Sequence, residues 1–386
     1  MRVGILGCGQ LARMMAQAGE SRGIDCAFVA VDGESTACVE GLGPVVRWRS
    51  GDSVAELYAA LGKPECITIE REAIDSALLR ALQNHCIVHP NPDSVRSCQN
   101  RRMERQLLRS LNIPCAPYRS ASTAAQVRAA VAALGLPLVV KSAESGYDGK
   151  NQWRLRSAAD VTAFCRDHPR GDWILEQWVA YQREVSVIAV RNPQGEFSCY
   201  PITENHHRDG ILLSSVAPCL EISAEQERAA TGYARAIMEK LDYAGVLAVE
   251  CFIVDDQVWV NELAPRVHNS GHWTMLPGVN SQFTSHLLAI CARPLEDTGL
   301  NNPFAGMVNI LGGYCKLTAL DSLPPETRVH WYNKSPAFGR KPGHVNVQSC
   351  SASQVRKAVD ALQQSLYGDS QRKAARVDRP HRATAR

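Results

Sequence analysis

Two glutamates, Glu250 and Glu262, lie in β-rich segments that a short polar break at residues 255–257 separates. The pattern predicts a hairpin with a loop of about three residues, and a fold-back at its centre places the two glutamates opposite each other. Their spacing from Val258 and Val260 predicts that all four side chains share one face. Because like charges placed opposite each other destabilise a sheet, the pair calls for a cation. Oxygen ligands without a soft donor nearby favour Mg²⁺ that carries substrate phosphates.

A dense polar segment follows the second strand directly and separates two interpretations of the pair. An isolated pair of glutamates is more often a solvated face with one side chain turned outward. Here the strand runs straight into polar side chains, namely Asn261, Arg266, His268, Asn269 and His272. The sequence therefore favours a functional site at the end of this hairpin over a plain surface.

A glycine-rich turn near the start of the chain is a second candidate site. Residues 7–12 (GCGQLA) fit the pattern G-x-G-x-x-G/A between a strand and a helix. Asp32 ends the next strand about 20 residues later, as in dinucleotide sites. A tight turn before a helix can also hold any other anion. Alone, the turn favours a nicotinamide enzyme, so it must be weighed against the rest of the chain.

Lys141 and the loop after it form an independent nucleotide signal. A lysine at the end of a strand, followed by the polar, glycine-containing residues 142–150, can hold phosphates through its charge and backbone N–H groups. No Walker A motif occurs, and a surface hairpin with an exposed lysine is the plain alternative. Residues 176–179 (EQWV) and Glu184 offer contacts to an adenosine, although ordinary strands often contain such residues.

Two further polar clusters are weaker signals. Residues 205–209 (NHHRD) contain adjacent histidines that cannot face one metal from a strand, and no sequence partner completes a zinc site. We therefore expect a solvated loop there. Residues 340–344 (RKPGH) form a basic turn that is either plain surface or a source of cations for a substrate phosphate.

The composition is that of a soluble globular enzyme with more than one domain. The 386 residues exceed what one core holds, and the hydrophobic and charged fractions are 45% and 21%. The net charge of +3 indicates neither nucleic acid nor a membrane surface as a partner, and no apolar run reaches the roughly 18 residues of a membrane span. The 14 cysteines lack a disulfide-rich spacing, so we expect buried thiols and a cytoplasmic location.

The elements that must hold these residues follow two patterns. In the first part, strands alternate with helices and predict a parallel sheet. Its strands are expected at residues 2–7, 24–31, 66–70 and 86–88, with the first helix at 11–21. The break at residues 89–92 (HPNP) marks the edge of this domain.

Beyond this edge, helices and strands alternate less regularly. Helices are expected at residues 101–111, 123–134, 224–241 and 353–366, and further strands at 138–141, 173–179 and 185–190. The tail after residue 368 is basic and poor in large apolar residues, which predicts disorder.

Seven motifs together resemble those of the N5-carboxyaminoimidazole ribonucleotide synthase family of the ATP-grasp superfamily, over nearly the whole folded chain. The matching segments are GxGQLxRM (7–14), ITIERE (67–72), GYDGKxQ (146–152), NELAPRVHNSGHWT (261–274), SQF (281–283), HWYNK (330–334) and GRKPGHVN (339–346). In this resemblance, the glycine turn belongs to the N-terminal domain of the fold and not to a nicotinamide site.

The resemblance implies an α/β and α+β multidomain protein with an ATP-grasp fold. It places a Rossmann-like, pre-ATP-grasp domain at 1–97, a two-lobed ATP-grasp domain at 98–300, a small C-terminal β-rich domain that closes over the substrate at 301–368, and a basic tail at 369–386. It also implies a homodimeric ligase of purine biosynthesis, with ATP and Mg²⁺ as cofactors. This ligase would join bicarbonate to 5-aminoimidazole ribonucleotide.

The resemblance also assigns roles to residues by their position in the motifs. The implied metal ligands are Glu250 and Glu262, and the implied catalytic residues are Asp148, Lys341 and Arg266, with Asp148 accepting the proton of the attacking amine. The implied ATP site comprises Arg105, Lys141, Glu176, Gln177, Val179, Glu184, His207, Asn261 and Glu262. The implied ribonucleotide site comprises Gln10, Glu70, Tyr147, Asp148, Lys150, Arg266, His268, Lys334, Arg340 and Lys341.

The chain departs from the family pattern at several positions. Asn100 and Arg105 stand where the family commonly has Asp and Lys, and Asn333 replaces a common Asp. Glu144 and Ser145 lie in a flap that often reads Arg-Arg-Gly-Gly-Tyr. Arg105 keeps the positive charge but alters its geometry, whereas Glu144 puts a negative charge near the phosphates.

Three other functions stay open at this point. A transformylase that joins formate to glycinamide ribonucleotide has the same fold but fits the segments HNSGHWT and GYDGK less well. An oxidoreductase would rest on the glycine turn alone and leave Glu250, Glu262 and Arg266 without a role. A catalytically inactive ATP-binding module is suggested by the departures and opposed by the intact Lys141 and Lys341.

Overall fold

The computed structural model describes residues 1–144, 151–208, 210–315, 317–323, 327–335 and 337–368. Its strands form three sheets of five, four and nine strands in these residues.

The first sheet is parallel, as the alternation of strands and helices predicts. Its strand order is β3-β2-β1-β4-β5, and every neighbouring pair is parallel. The strands are β1 (Arg2–Leu6), β2 (Asp25–Val31), β3 (Val45–Trp48), β4 (Cys66–Ile69) and β5 (Ile87–Val88). The helices are α1 (Gln10–Glu20), α2 (Val54–Ala60), α3 (Ser76–Leu82) and α4 (Pro92–Gln99). The short strand β3, whose residues are exposed or half-buried, was absent from the sequence prediction.

The second sheet is a small antiparallel one that follows helix α5 (Arg101–Ser110). Its order is β6-β9-β7-β8. The strands are β6 (Tyr118–Thr123), β7 (Leu138–Ser142), β8 (Gln152–Leu155) and β9 (Arg170–Gln177). Helices α6 (Ala124–Leu134) and α7 (Ala158–Asp167) cover one face of it. The strand expected at residues 173–179 thus ends two residues earlier than predicted.

The third sheet is the largest, and it is antiparallel throughout its described strands. Its order is β15-β14-β10-β12-β13-β16-β18-β17, with β11 beside β10. The strands are β10 (Arg183–Arg191), β11 (Phe197–Cys199), β12 (Thr203–Arg208), β13 (Ile211–Ala217), β14 (Gly245–Val254), β15 (Gln257–Ala264), β16 (Phe304–Ile310), β17 (Arg328–Trp331) and β18 (Gly343–Ser349). The helices are α8 (Ala224–Lys240), α9 (Gln282–Ile290) and α10 (Ala352–Tyr367).

The C-terminal strands do not form a sheet of their own. Strand β16 pairs with β13, from Ser214 opposite Val308 to Ala217 opposite Ala305, so β16, β17 and β18 extend the large sheet. The expected small C-terminal β-rich domain therefore shares the large sheet with the strands before it. The backbone groups at the edge of β13 are satisfied by pairing, which binds the C-terminal part to the sheet that carries the glutamate hairpin.

The sequence predicted a solvated loop at residues 205–209. This prediction is wrong for the residues that the structure describes, because residues up to Arg208 form strand β12. The polar side chains of this segment were the reason for the wrong prediction. The amide of Asn205 donates to Ser186 Oγ at 2.6 Å and accepts from Ser215 Oγ at 2.8 Å. Neighbouring strands therefore satisfy a buried polar side chain that would otherwise disfavour a central strand.

The hydrophobic core joins the first sheet to the largest one. Helices α1 and α9 pack together, and one buried cluster contains Met14 of α1, Phe28 of β2, Phe283 and Leu287 of α9, and Val246 of β14. This packing brings the carboxyl end of the first sheet toward the end of the hairpin. Within the described residues, every helix is too short or too polar to cross a membrane.

Candidate active site

Glu250 and Glu262 are directly opposite each other on β14 and β15, as predicted. The geometry that produces this pairing differs from the prediction. The turn contains two residues, Asp255 and Asp256, instead of three, because Val254 pairs with Gln257. A β-bulge then shifts the register by one residue between Glu250 and its neighbour. The shorter turn and the bulge cancel each other, so the predicted pair is restored.

Because of the bulge, the residues of β15 that precede it point to the face opposite the predicted one. Val258 and Val260 were expected on the face of the glutamates, but they pair with Ile253 and Cys251 and pack in the core beneath the sheet. The extra residue is Asn261, which lies between Val260 and Glu262. One additional residue in a strand turns the following side chains to the opposite face. The glutamates are therefore half-buried above the sheet while the valines are fully buried below it.

The carboxylate pair has the electrostatics of a cation site. Burial and the charges of Glu262 and Glu184 raise the pKa of Glu250 to about 7, against the opposing effect of His207. His268 Nε2 lies 3.1 Å from Glu250 Oε1. Burial lowers the pKa of His268 well below its ordinary value, and its Nδ1 accepts from the Ser270 N–H at 3.3 Å. His268 is therefore neutral and adds no positive charge beside Glu250.

Lys141, at the end of β7, points at the same bulge. Its Nζ lies 2.6 Å from Glu176 Oε2 on β9 and donates to Asn261 Oδ1 at 3.4 Å. Burial alone would raise the pKa of Glu176, but the charges of Arg105 and Lys141 outweigh it and lower the pKa to about 2. Glu176 therefore stays ionised and holds the lysine beside the residue that precedes Glu262.

Arg101 is a site residue that sequence reasoning missed. It follows the Asn100 cap of α5, and its guanidinium lies 3.4 Å from Glu262 Oε1 and donates to the Ser142 carbonyl at 3.2 Å. The sequence showed several arginines at the start of a basic helix and gave no means of choosing among them. Arg105, which was expected to contact the nucleotide, instead has a side chain only 1% exposed.

Glu184 and His207 lie on adjacent strands of the large sheet. His207 Nδ1 is 2.5 Å from Glu184 Oε2. Burial lowers the pKa of His207, but contact with Glu184 reverses this effect and raises it. Gln177 ends β9, and Val179 lies in the segment that leads from β9 to Glu184 on β10. Glu184 and His207 both act on the pKa of Glu250, so these two of the predicted nucleotide contacts lie beside the carboxylate pair.

The remaining predicted residues converge from three parts of the chain. Lys334 donates to Gln10 at the start of α1. Burial lowers the pKa of Lys334, with Glu70 raising it and the charges of Arg340 and Lys341 lowering it further. The basic turn, the end of β4 and the first turn of α1 therefore face a common region.

Arg266 reaches this region from the end of β15. Its Nη2 lies 2.7 Å from Glu72 Oε1. Arg266 and Lys341 both act on the pKa of His268, which is lowered first by burial. Tyr147, Asp148 and Lys150 lie outside the described residues.

Two carboxylates fill the glycine turn that resembled a dinucleotide site. A Cβ added at Gly9 would lie 2.7 Å from Glu70 Oε1, and one at Gly7, whose φ is +119°, would lie 2.3 Å from Glu70 Cγ. Glu34 accepts the Cys8 N–H at 2.9 Å and the Val31 N–H at 3.1 Å. The glycines thus admit protein carboxylates where a dinucleotide would place its pyrophosphate, which opposes the oxidoreductase alternative.

Models of three families match successive parts of the chain. The ribonucleotide synthetase preATP-grasp domain matches residues 1–99, the ATP-grasp domain matches residues 106–283, and the phosphoribosylaminoimidazole carboxylase C-terminal domain matches residues 305–358. These matches confirm the predicted fold class, with a pre-ATP-grasp domain before an ATP-grasp domain.

Relatives of known name match almost the full chain. The N5-carboxyaminoimidazole ribonucleotide synthase of Escherichia coli (strain K12) is 37% identical over 361 residues, and that of Vibrio cholerae is 36% identical over 375 residues. In both comparisons the alignment covers 94% of this chain and 94% of the relative.

Solved structures of the same name share the fold. The crystal structure of the synthetase from Thermus thermophilus matches with a TM-score of 0.86 at 32% identity, covering 95% of this chain and 99% of that chain. The Aspergillus clavatus synthase in complex with ADP and 5-aminoimidazole ribonucleotide matches with a TM-score of 0.83 at 26% identity, covering 94% and 98%. The chain therefore belongs to the N5-carboxyaminoimidazole ribonucleotide synthase family of ATP-grasp ligases.

Proposed function

We propose that this chain joins ATP, bicarbonate and 5-aminoimidazole ribonucleotide to give N5-carboxyaminoimidazole ribonucleotide, ADP and phosphate. The observation that carries the proposal is the opposed pair Glu250 and Glu262 beside Lys141, with a second cationic region at Lys334 and Arg340. One region suits the phosphates of a nucleotide and the other suits a phosphorylated substrate. A related synthase was crystallised with ADP and this ribonucleotide.

The nucleotide would lie between the small sheet and the large one. Lys141 would contact its phosphates, and the ion contact between Glu184 and His207 would orient a carboxylate oxygen toward the ribose. The Glu176 carboxylate is committed to Lys141 and Arg105, so adenine would meet the backbone at residues 176–179. Asn261 would contribute beside Lys141.

Magnesium fits the carboxylate pair. In the described residues no group of three or more His, Cys, Asp or Glu is arranged to hold a metal. An ion at Glu250 and Glu262 would therefore take its remaining oxygens from phosphates and water, as Mg²⁺ commonly does. When bound, it would neutralise charge on the phosphates during transfer.

The ribonucleotide would occupy the second region. Gln10, Glu70, His268, Lys334 and Arg340 would contact it, with Arg340 on its phosphate. A guanidinium can bond a phosphate through two N–H groups at once. By the family resemblance, Tyr147, Asp148, Lys150, Arg266 and Lys341 would contribute as well.

The proposed reaction has two steps. A bicarbonate oxygen attacks the γ-phosphorus of ATP, and the bond from this phosphorus to the β,γ-bridging oxygen breaks. The products of this step are carboxyphosphate and ADP. The amine of the ribonucleotide then attacks the carboxyl carbon, phosphate leaves, and Asp148 takes the amine proton. Arg266 and Lys341 would stabilise the negative charge that develops.

A homodimer and a cytoplasmic location are further parts of the proposal. All 14 cysteines are free thiols, which suits a reducing compartment. Sedimentation would measure the oligomeric state.

ADP release from ATP tests the function. With Mg²⁺ and bicarbonate present, we expect ADP release to rise strongly on adding 5-aminoimidazole ribonucleotide. Formate with glycinamide ribonucleotide should produce no such rise. Equal ADP release in both mixtures, or none in either, would refute the proposed reaction.

A further inference from the structure

Two adjacent residues of α5 contact both sides of Glu262. Glu104 Oε2 accepts the N–H of Leu263 at 2.9 Å, and Arg105 Nη2 donates to the carbonyl of Asn261 at 2.7 Å. Arg105 Nη1 also donates to Glu104 Oε1 at 2.5 Å. The backbone before and after Glu262 is thus held by one ion pair.

This pair is sealed inside the protein. The side chains of Glu104 and Arg105 are each 1% exposed. Burial lowers the pKa of Arg105, but Glu176 and Glu104 raise it more, so the guanidinium stays charged. The Arg105 side chain is enclosed by protein acceptors, so it has no exposed surface for contact with a nucleotide. Its effect on the site must pass through the groups that it holds.

The groups that it holds are the two halves of the phosphate site. Arg105 also contacts Glu176 at 2.5 Å, and Glu176 contacts Lys141 at 2.6 Å. One guanidinium therefore reaches from the bulge of β15 to the lysine of β7.

The bulge needs such support. Bulged residues lack a cross-strand partner of their own, and a slip of one residue would turn Glu262 toward the core. The contacts to Asn261 O and Leu263 N fix the backbone on either side of the glutamate. We propose that Glu104 and Arg105 are positioning residues that set Glu262 on the face of Glu250 and thereby set the affinity of the carboxylate pair for Mg²⁺.

This inference rests on the proposed function, because it assumes that Glu250 and Glu262 bind Mg²⁺ with a nucleotide. Lysine at position 105 would not make the same set of contacts. A guanidinium donates in several directions from one rigid plane, whereas an ammonium at the end of a flexible chain cannot span the same acceptors. Arg105→Lys thus keeps the charge and removes the geometry.

The test measures Mg²⁺ affinity without relying on turnover. The thermal midpoint of the protein with ADP is followed as Mg²⁺ is added, for the wild type, Arg105→Lys and the control Arg109→Lys. Arg109 lies on the exposed side of the same helix. We expect Arg105→Lys to need at least about 10-fold more Mg²⁺ for half of the shift, the scale of lost outer-shell support at metal sites, and Arg109→Lys to match the wild type.

Glu104→Gln provides the second variant. Its amide oxygen can still accept from Leu263, but an NH₂ group replaces the oxygen that accepts from Arg105, so we expect a smaller increase in the Mg²⁺ requirement. Where activity is measurable, KM for the ribonucleotide should stay within about twofold, because the second region is untouched. This split separates positioning of Glu262 from general loss of structure. If Arg105→Lys does not fold, the result with Glu104→Gln decides.

The outcomes separate this inference from the proposed function. A wild-type protein that Mg²⁺ with ADP does not stabilise refutes the nucleotide site itself. A stabilised wild type with an unchanged Mg²⁺ requirement in the folded variants overturns the positioning role. Equal weakening of ADP with and without Mg²⁺ in Arg105→Lys also overturns it, since that pattern is expected of a direct nucleotide ligand.

Discussion

Glu250 and Glu262 place two negative charges opposite each other, and burial raises the pKa of Glu250 to about 7. We predict that Glu262→Gln lowers turnover by more than about 100-fold, because a lost carboxylate removes charge that would hold Mg²⁺ on the phosphates. ADP release at saturating ATP measures the effect. Circular dichroism should show an intact fold.

Glu225→Gln is the matched control for this prediction. Glu225 is exposed in the first turn of α8, a helix that packs on the face of the hairpin opposite the two glutamates, so its loss should leave turnover nearly unchanged. Normal ADP release by Glu262→Gln would exclude the metal assignment.

Arg340 and Lys341 differ in their expected roles within the basic turn. Arg340 is exposed, and its charge acts on Lys334, so we predict that Arg340→Ala raises KM for the ribonucleotide by about 10- to 100-fold, the value of a lost charged hydrogen bond. ATP affinity should stay unchanged. Lys341→Ala should lower kcat more than it raises KM.

Titration of each variant with each ligand separates these roles. Loss of ATP binding in Arg340→Ala would mean that the basic turn serves the nucleotide instead. Equal effects on kcat and KM in both variants would remove the distinction between them.

Contacts between site residues were predictable from the sequence where a local pattern, such as a hairpin, brings the residues together. The pairing of Glu250 with Glu262 follows from the hairpin alone. Arg101 and Arg105 could not be told apart from the sequence. The strand residues that they contact lie at least 41 residues after Arg101 and at least 71 residues after Arg105, so no local pattern reveals them. Both side chains are buried, and their contacts distinguish them: Arg101 borders the carboxylate pair, whereas Arg105 is enclosed by Glu104 and Glu176.

At the scale of elements, the turn before α1 bears on cofactor choice. Glu34 and Glu70 occupy its backbone donors and the space beside its glycines. We predict that ATP with Mg²⁺ raises the melting temperature and that NAD or NADP does not. At 100 times Kd a ligand of the native state stabilises it by about 2.7 kcal/mol. Differential scanning fluorimetry with each nucleotide at equal concentration measures this.

The opposite result is informative as well. Stabilisation by a dinucleotide, with none by ATP, would restore the oxidoreductase interpretation. Glu34→Gln is a useful companion variant, since removing one of the two negative charges should still leave the turn blocked by Glu70.

The hairpin shows why element boundaries were less predictable than contacts. A three-residue loop and a two-residue turn with a bulge give the same pairing of the glutamates but opposite faces for Val258 and Val260. Periodicity in the sequence does not reveal an extra residue within a strand. Strand β12 was missed for a related reason, because the polar partners of Asn205 come from neighbouring strands.

At the scale of the whole molecule, the large sheet and the packing of α1 on α9 unite regions distant in sequence. The parallel first sheet was predictable from alternating strands and helices, whereas the extension of the large sheet by β16 to β18 was not. Short strands carry no local signal of which edge they join. The joined edge matters for function because it connects the basic turn to the sheet of the glutamate hairpin.

One buried histidine links the first sheet to the largest sheet. His286 of α9 contacts Thr68 Oγ1 of β4 through Nε2 at 2.8 Å, and its Nδ1 accepts the Val246 N–H of β14 at 3.0 Å. This acceptor role fixes a neutral ring with the proton on Nε2. Burial, together with the charge of His89, lowers its pKa from 6.5 to about 3. Gly245, whose φ is +120°, leaves room for the ring, since a Cβ there would lie 2.9 Å from its Cε1.

Because of His286, we predict that the free energy of unfolding decreases in acid. The unfolded chain takes up the proton below its pKa of 6.5, whereas the folded chain resists it down to about 3. Stability from this site is therefore complete above pH 6.5 and is lost as pH falls toward 3, by about 1.4 kcal/mol at pH 5.5. Urea unfolding at pH 7.5 and 5.5 should show that His286→Gln is less stable than the wild type at both pH values but less sensitive to the change. The exposed His85→Gln should retain the full sensitivity of the wild type. An equal loss between the two pH values in His286→Gln and the wild type would contradict the assignment of this effect to His286.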